Sequence, residues 1–155
     1  MTKIHSLVAR LCMVFVLHLF VRISQKLEYA CRAMVQLARR HDGQTLTRLD
    51  ELAQREAVSA NFLVQILNDL KRDGLIESKR GKAGGYLLAR APRDISFFDI
   101  AQAVESGMLR QSISTDGESG SSVKTAWEQA SNALHKELKS ITLDTLGPQS
   151  PMFYI

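Results

Sequence analysis

Cysteine and histidine are both scarce in this sequence. Its 155 residues hold two cysteines, Cys12 and Cys31, which match neither the paired spacing of a zinc site nor a disulfide framework. We therefore expect a reduced, cytoplasmic environment. The four histidines are scattered along the chain: His5, His18, His41 and His135. Because none is paired at helical spacing or set beside a carboxylate cluster, we expect no metal site, no catalytic triad and no enzymatic activity.

Aromatic residues and long apolar runs are also few. Aromatics make up 6% of the chain while aliphatic residues are plentiful, which is typical of a mainly helical protein. The apolar run at residues 11–17 is shorter than the roughly 20 residues that span a bilayer, and no small-x-small cleavage site follows it. A short membrane anchor and a helix packed on the rest of the chain both stay open for residues 1–20.

The net charge is only +4, but it is unevenly distributed. Residues 21–93 hold 14 Lys and Arg against 8 Asp and Glu, a net of +6, whereas residues 94–155 hold 4 against 8, a net of −4. The N-terminal part should therefore attract phosphate, and the C-terminal part should not.

The clearest pattern lies at residues 58–88. Ser59 is a good helix N-cap, and Gly74 is typical of the residue just past a helix end. Between them, one apolar face recurs at helical spacing: Phe62, Leu63, Ile66, Leu67 and Leu70. Two short apolar runs, 75–79 and 86–89, joined by the glycine-rich stretch 80–85, predict a hairpin. A capped helix followed by a basic-tipped hairpin indicates a recognition helix and its wing.

Helices are predicted on both sides of this segment. The apolar spacing favours a first helix over 24–40 and a second ending near Ala57, with Thr47 as its N-cap and a brief turn at 57–58. Ser96 is placed to cap a fourth helix over 97–105. We expect its apolar residues to pack on the first helix: Phe98, Ile100, Ala101 and Val104.

The fold predicted is mainly α with a small β-hairpin wing, a winged helix-turn-helix plus a long C-terminal helix. We divide the chain into a doubtful extension (1–20), the winged helix-turn-helix (21–106), a polar Gly- and Ser-rich flexible loop (107–122), a helix and end segment (123–146) and a tail (147–155). One apolar stripe marks the last helix: Trp127, Ala130, Leu134 and Leu138.

Residues 21–146 resemble the Rrf2 family of bacterial winged-helix regulators, which includes iron–sulfur-sensing, nitric-oxide-sensing and cysteine-metabolism repressors. The matching motifs are Lys26-Leu27-Glu28-Tyr29-Ala30, the run 59–70, Asp73-Gly74-Leu75-Ile76, Arg80-Gly81, Gly84-Gly85-Tyr86, Ile100, Ala103-Val104-Glu105, Ala126-Trp127 and Ser140-Ile141-Thr142-Leu143. The resemblance implies a homodimer whose C-terminal helices cross, reading a palindromic operator in double-stranded DNA. It also suggests that translation starts at Val21, read from a GUG codon, because Val21-Arg22-Ile23-Ser24 fits the family's usual opening.

The candidate DNA-binding residues fall into three groups. Asn61 and Gln65 lie one turn apart on the outer face of the recognition helix, where amides can pair with adenine in the major groove. Arg80, at the wing tip, is suited to a narrow minor groove. We expect contacts to phosphate, or capping beside it, from the remaining polar residues: Ser59, Lys71, Arg72, Lys79 and Lys82. The alternative for each is an ordinary solvated surface.

Three wing glycines, Gly81, Gly84 and Gly85, fit tight turning and close approach to the DNA backbone better than a nucleotide-binding loop, because no Gly-Lys-Ser/Thr follows them. Val64 departs from the acidic residue that some iron–sulfur members of the family carry there, so their operator sequence does not transfer.

Cluster-binding members of the family carry three cysteines in the loop, and residues 107–122 contain none. We therefore expect a regulator, most simply a repressor, without an iron–sulfur cluster. Cys31, on the apolar face of the first helix, is a weak candidate for a redox switch. An unknown effector or protein partner stays open, as does a second class of function, a winged-helix protein-interaction module held at a membrane by residues 1–20.

Overall fold

The computed structural model of the chain describes residues 23–107 and 112–146. Its helices are α1 (Gln25–Arg39), α2 (Leu49–Arg55), α3 (Ala60–Arg72), α4 (Phe97–Val104) and α5 (Gly120–Ser140). Its strands are β1 (Ile76–Lys79) and β2 (Gly85–Leu88), with short 3-10 turns at Pro92–Asp94 and Leu143–Leu146. These elements confirm the predicted fold class. The predicted extension (1–20) and tail (147–155) lie outside the described residues.

The core is built from one face each of α1, α3 and α4. Buried apolar side chains recur there at the helical period: Leu27, Ala30, Ala33, Met34 and Leu37 on α1, Leu63, Ile66, Leu67 and Leu70 on α3, and Ile100, Ala101, Ala103 and Val104 on α4. They confirm the predicted face of α3 and, on α4, the predicted Ile100, Ala101 and Val104. Burying each of the large side chains stabilises the fold by roughly 1.5–3 kcal/mol before entropy is counted. The outer face of α3 is thereby left free for solvent or a partner.

Two of the three predicted caps are confirmed. The Ser59 hydroxyl accepts a hydrogen bond from the Phe62 amide at 3.3 Å, and Ser96 forms a reciprocal capping box with Asp99. The predicted Thr47 cap is wrong, because α2 begins after Arg48 and has no side-chain cap. Thr47 is instead buried beside the hairpin.

The hairpin is antiparallel, with Ile76 opposite Leu88 and Lys79 opposite Gly85. Thr47 adds a short third edge, since its amide and its carbonyl each form a 2.8 Å bond with the backbone of Tyr86. These two bonds use the backbone of Thr47 in a sheet, which explains why it cannot start the helix as an N-cap. They also fix the wing against the segment that leads into α2.

Helix α5 begins at Gly120, three residues before the predicted start at Val123, and none of its residues is fully buried. Its C-terminal half packs on α4 through His135, whose ring stacks on Phe98 with centroids 4.0 Å apart. The prediction that Phe98 packs on α1 is therefore wrong: Phe98 lies on the side of α4 that faces α5. No helix in the described ranges is long and apolar enough to cross a bilayer.

Candidate nucleic-acid interface

The outer face of α3 presents amide side chains to solvent. Asn61 and Gln65 are both exposed, as the sequence predicted, and the exposed Asn68 extends the same face by one more turn. Sequence analysis missed Asn68, although the signal was present: Asn68 lies seven residues after Asn61, on the same face at helical spacing. Since carboxamides carry both a donor and an acceptor, this face has the hydrogen-bonding groups that base edges require.

The wing carries cations that its own protein does not neutralise. In the described chain, ion pairs engage seven basic residues: Lys26, Arg32, Arg40, Arg48, Arg55, Arg72 and Lys124. No described carboxylate oxygen lies within 4.0 Å of a side-chain nitrogen of Lys79, Arg80 or Lys82, and the same holds for some exposed cations away from the wing, such as Arg93. All three side chains are exposed. The wing tip therefore has a positive potential that an external anion can meet.

A concavity of about 510 Å³ lies between the wing, the start of α2 and the end of α3. Its lining includes Arg48, Asn68, Lys71 and Arg80. Sequence reasoning missed Arg48, because its role depends on the tertiary structure: Arg48 Nη1 donates to the Lys82 carbonyl at 3.1 Å, and its Nε pairs with Asp50 at 3.0 Å. Arg48 thus ties the wing tip to the first helix of the helix-turn-helix.

The other residues predicted to contact phosphate differ in how far their side chains are already held by groups of the same chain. Lys71 Nζ donates to the Ser78 hydroxyl at 2.7 Å, which directs its charge toward β1. Arg72 is 73% exposed but pairs with Asp69 at 2.7 Å, so part of its charge is already neutralised on its own helix. The Ser59 hydroxyl is used by the cap. Of the predicted phosphate contacts, Lys79 and Lys82 are therefore the least restrained.

Asp69 also anchors the recognition helix to the core. Lys26 of α1 pairs with Asp69 at 2.6 Å and donates to the Val104 carbonyl at the end of α4 at 3.2 Å. The hydrogen bond from Lys26, together with the charges of Lys26 and Arg72, lowers the pKa of Asp69 despite its partial desolvation. One lysine thereby joins three helices and sets the position of α3.

The wing glycines have separate structural reasons. Gly81 adopts φ +104°, a left-handed conformation that favours glycine, and its carbonyl accepts from the Gly84 amide at 3.0 Å. A Cβ at Gly84 would lie 2.3 Å from the Lys79 carbonyl oxygen, and one at Gly85 would lie 2.6 Å from that of Thr47. Tight turning is confirmed, but the close approach at Gly85 is to the Thr47 backbone, which the sequence did not predict.

Thiolates, the usual protein ligands of an iron–sulfur cluster, are scarce in this sequence. The sequence has only two cysteines, and Cys12 lies outside the described residues. Cys31 packs against the core, and burial raises the pKa of its thiol to about 12, which disfavours the thiolate that iron binds. Among the described residues, no group of three or more His, Cys, Asp or Glu side chains is arranged to hold a metal ion.

The predicted dimerisation stripe divides into two parts. The side chain of Trp127 is 49% exposed, and Ala130, three residues further along the helix, is exposed as well. Leu134 and Leu138 are half-buried and line an apolar pocket of about 350 Å³ between α1, α4 and α5. The stripe therefore continues from a pocket on the body of the protein onto a helix face that residues 23–107 and 112–146 leave uncovered.

The chain is similar to known proteins in both sequence and structure. Residues 23–149 match the profile of the family described as Rrf2, iron-dependent transcriptional regulator. The Bacillus subtilis transcriptional regulator CymR is 31% identical over 141 residues, which cover 87% of this chain and all of CymR. A putative HTH-type regulator of Mycobacterium tuberculosis is 45% identical over 85 residues, and there the chain spans about half (52%) of the relative's length.

Two solved structures are similar over most of the chain. Bacillus subtilis CymR, described as the global cysteine regulator of that organism, has a TM-score of 0.73 at 30% identity and covers 84% of this chain and 99% of its own. IscR of T. potens has a TM-score of 0.66 at 36% identity, covering 81% and 85%. With α2, α3 and the hairpin arranged as in these winged-helix regulators, the chain belongs to the Rrf2 family of transcriptional regulators.

Proposed function

We propose that this chain is a sequence-specific, DNA-binding transcriptional regulator that acts in the bacterial cytoplasm as a homodimeric repressor on a palindromic operator. One observation carries the proposal: the wing gathers three exposed cations, Lys79, Arg80 and Lys82, none of which pairs with a described carboxylate, beside the exposed amides of α3. Leaving Lys79, Arg80 and Lys82 unpaired gives nothing to folding, but a polyanion would neutralise all three.

The interface divides binding between two kinds of contact. Asn61 and Gln65 present donors and acceptors to base edges in the major groove, which gives sequence preference. Arg80 projects from the wing tip toward the minor groove, and Lys79 and Lys82 bind phosphate, which gives affinity without sequence information. The Arg48–Lys82 bond holds the wing at a fixed distance from α3, so both grooves are met at once.

The proposed homodimer is supported by helix α5. Its C-terminal half packs on its own protomer, whereas Val123 and Trp127 in its N-terminal half are exposed apolar side chains that call for a partner surface. A second copy of the same helix, related by a twofold axis, supplies the matching stripe and pairs two recognition helices. Two identical readers related in this way require an operator that is itself an inverted repeat.

The proposed regulator works without an iron–sulfur cluster and without enzymatic chemistry. Support comes from the donor set: thiolates are the usual cluster ligands, and the sequence offers one buried thiol at Cys31 and one in the segment that precedes α1. Its neutral, desolvated thiol also makes Cys31 a poor nucleophile. Any signal to the regulator is therefore expected to act elsewhere than at Cys31.

The proposal is tested by selection of DNA from random-sequence duplexes on the purified full chain. The selected sequences should share an inverted repeat, and log affinity should fall linearly with log salt concentration because bound phosphates release counterions. Arg80→Ala should weaken specific binding by roughly 1–3 kcal/mol. Asn61→Ala and Gln65→Ala should change which bases are preferred. Fluorescence anisotropy with labelled duplexes gives each affinity.

Arg93→Ala is the matched control for Arg80→Ala. It removes the same charge from an exposed arginine that lies beside Lys139 and Thr142, away from the wing. Its effect on affinity should be small. A chain that enriches no sequence, or binds all duplexes equally whatever stands at positions 61 and 65, would contradict the proposal and leave a protein-interaction module as the better description.

A further inference from the structure

Val64 is an apolar residue on the otherwise polar outer face of α3. It lies one turn after Asn61 and one turn before Asn68, and its side chain is half-buried. The partly buried apolar residues that pack on the core are Tyr29, Cys31, Val35, Ala38, Leu49, Val58, Phe62, Tyr86 and Phe97, and Val64 is not among these described residues. Its side chain therefore contributes little to the core.

Helix formation gives no reason for valine at this position. A β-branched side chain loses rotamer freedom in a helix and forms helix less readily than Gln, Lys or Ala. The part of its side chain that stays in water also gains nothing from the hydrophobic effect. Both terms favour a polar, unbranched residue at position 64, so the benefit of valine is expected when a partner covers the outer face of α3.

The major groove offers one apolar group that such a side chain can cover. Of the four base edges, only thymine carries a methyl group there, at C5. Residues three or four apart on a helix are separated by about 5–6 Å, and successive base pairs by about 3.4 Å, so Val64 faces base pairs adjacent to those opposite Asn61 and Asn68.

We propose that Val64 reads a thymine in each operator half-site by packing its two methyl groups on the thymine C5-methyl. The proposal rests on the proposed function, since it needs α3 in the major groove. It adds a base that the amide residues do not specify: a thymine recognised by apolar contact. It predicts that the half-site holds a thymine. The methyl group of this thymine should contribute to affinity separately from the hydrogen bonds of the base.

The test replaces thymine by deoxyuridine, which removes the methyl group and leaves base pairing intact. In the selected operator, each thymine of the half-site is replaced in turn, and anisotropy gives the affinity of the wild-type chain. At one position, affinity should fall about fourfold per half-site, the factor expected for one methyl group removed from a buried contact. Val64→Ala should weaken binding to the thymine operator and show no further loss with deoxyuridine.

Gln65→Ala is the matched variant. It lies beside Val64 on the same face and should keep the deoxyuridine penalty, because the apolar contact is intact. A selected half-site without thymine, or an equal penalty in the wild type and Val64→Ala, overturns the inference while salt-dependent selective binding would still support the proposed function. If the chain selects no sequence at all, both proposals fail together.

Discussion

The turns that follow α2 and α3 have the same hydrogen-bonding pattern, but only the turn after α3 has a glycine at its left-handed position. After α2, the Val58 amide bonds to the Ala53 carbonyl and the Ala57 amide to Gln54, at 3.0 and 3.3 Å. After α3, Leu75 and Gly74 form the same pair of bonds, both at 3.0 Å. This arrangement needs a left-handed residue, which is Gly74 (φ +72°) after α3 but Ala57 (φ +51°) after α2.

Ala57→Gly should therefore stabilise the protein. An alanine in the left-handed region costs about 1–2 kcal/mol, and the extra freedom of glycine in the unfolded chain offsets part of the gain. We expect an increase of roughly 0.5–1 kcal/mol in the free energy of unfolding, measured by urea titration at pH 7.

The mirror substitution, Gly74→Ala, serves as its control. A Cβ at Gly74 meets nothing within 4 Å, so backbone strain is the main change there. Gly74→Ala should destabilise the protein by about 1 kcal/mol. If the two substitutions shifted stability in the same direction, the backbone account of the turn between α2 and α3 would be wrong.

At the scale of elements, the sequence predicted the helices because the signals for them are local. The predicted first helix, 24–40, and the observed α1, Gln25–Arg39, differ by one residue at each end. Thr47 and Phe98 were misplaced for the opposite reason. Thr47 pairs with Tyr86 and Phe98 stacks on His135, both contacts between residues far apart in the sequence, which propensity and periodicity do not report.

The same limit applies to the candidate interface. Periodicity sufficed to place Asn61 and Gln65 on the outer face of α3, because the inner face is fixed by buried leucines and isoleucine. It did not reveal that Asp69 takes up part of the charge of Arg72, or that Arg48 holds the wing. Which cations are free for DNA is a property of the folded surface.

The contact of the wing with the segment before α2 leads to a prediction for Gly85→Ala. The added Cβ would lie 2.6 Å from the Thr47 carbonyl oxygen, a backbone atom that cannot easily move aside. We expect loss of the Thr47–Tyr86 bonds, destabilisation by roughly 1–3 kcal/mol in thermal or urea unfolding, and weaker DNA binding. Gly107→Ala, where a Cβ meets nothing within 4 Å, should leave both unchanged.

The junction of α1, α3 and α4 leads to a prediction about pH. Because the pKa of Asp69 is lowered in the folded state, its carboxylate contributes stability above its unfolded pKa of about 4, and this contribution is lost as the pH falls through the folded pKa. Asp69→Asn should cost roughly 1 kcal/mol at pH 7, and its difference from the wild type should shrink as the pH falls below about 4.

Urea titrations at pH 7, 4 and 3 measure this difference. Asp73→Asn is the control, since it removes a negative charge from an exposed residue next to the same helix end. A loss for Asp69→Asn that stays constant across the three pH values would show that the ion pair with Lys26 adds nothing to stability.

At the scale of the whole molecule, the two halves of α5 differ in what they contact. His135 and Leu138 pack toward α4 and the pocket beside it, whereas Val123 and Trp127 are 46% and 49% exposed. A tryptophan exposed on a helix contributes little to its own protomer but is the residue type that most often dominates an interface. Trp127 therefore tests dimerisation with little effect on folding.

Trp127→Ala should raise the dimer dissociation constant by at least about thirtyfold, the equivalent of about 2 kcal/mol for one lost anchor, while the circular dichroism of the protomer is retained. Sedimentation equilibrium measures the constant, and Asn132→Ala, on the opposite exposed face of α5, should leave it unchanged. Affinity for a full palindrome should fall toward that for a single half-site, because the two DNA-binding units would no longer be linked in one dimer. A variant that stays dimeric would place the twofold axis elsewhere and remove the argument for an inverted-repeat operator that rests on α5.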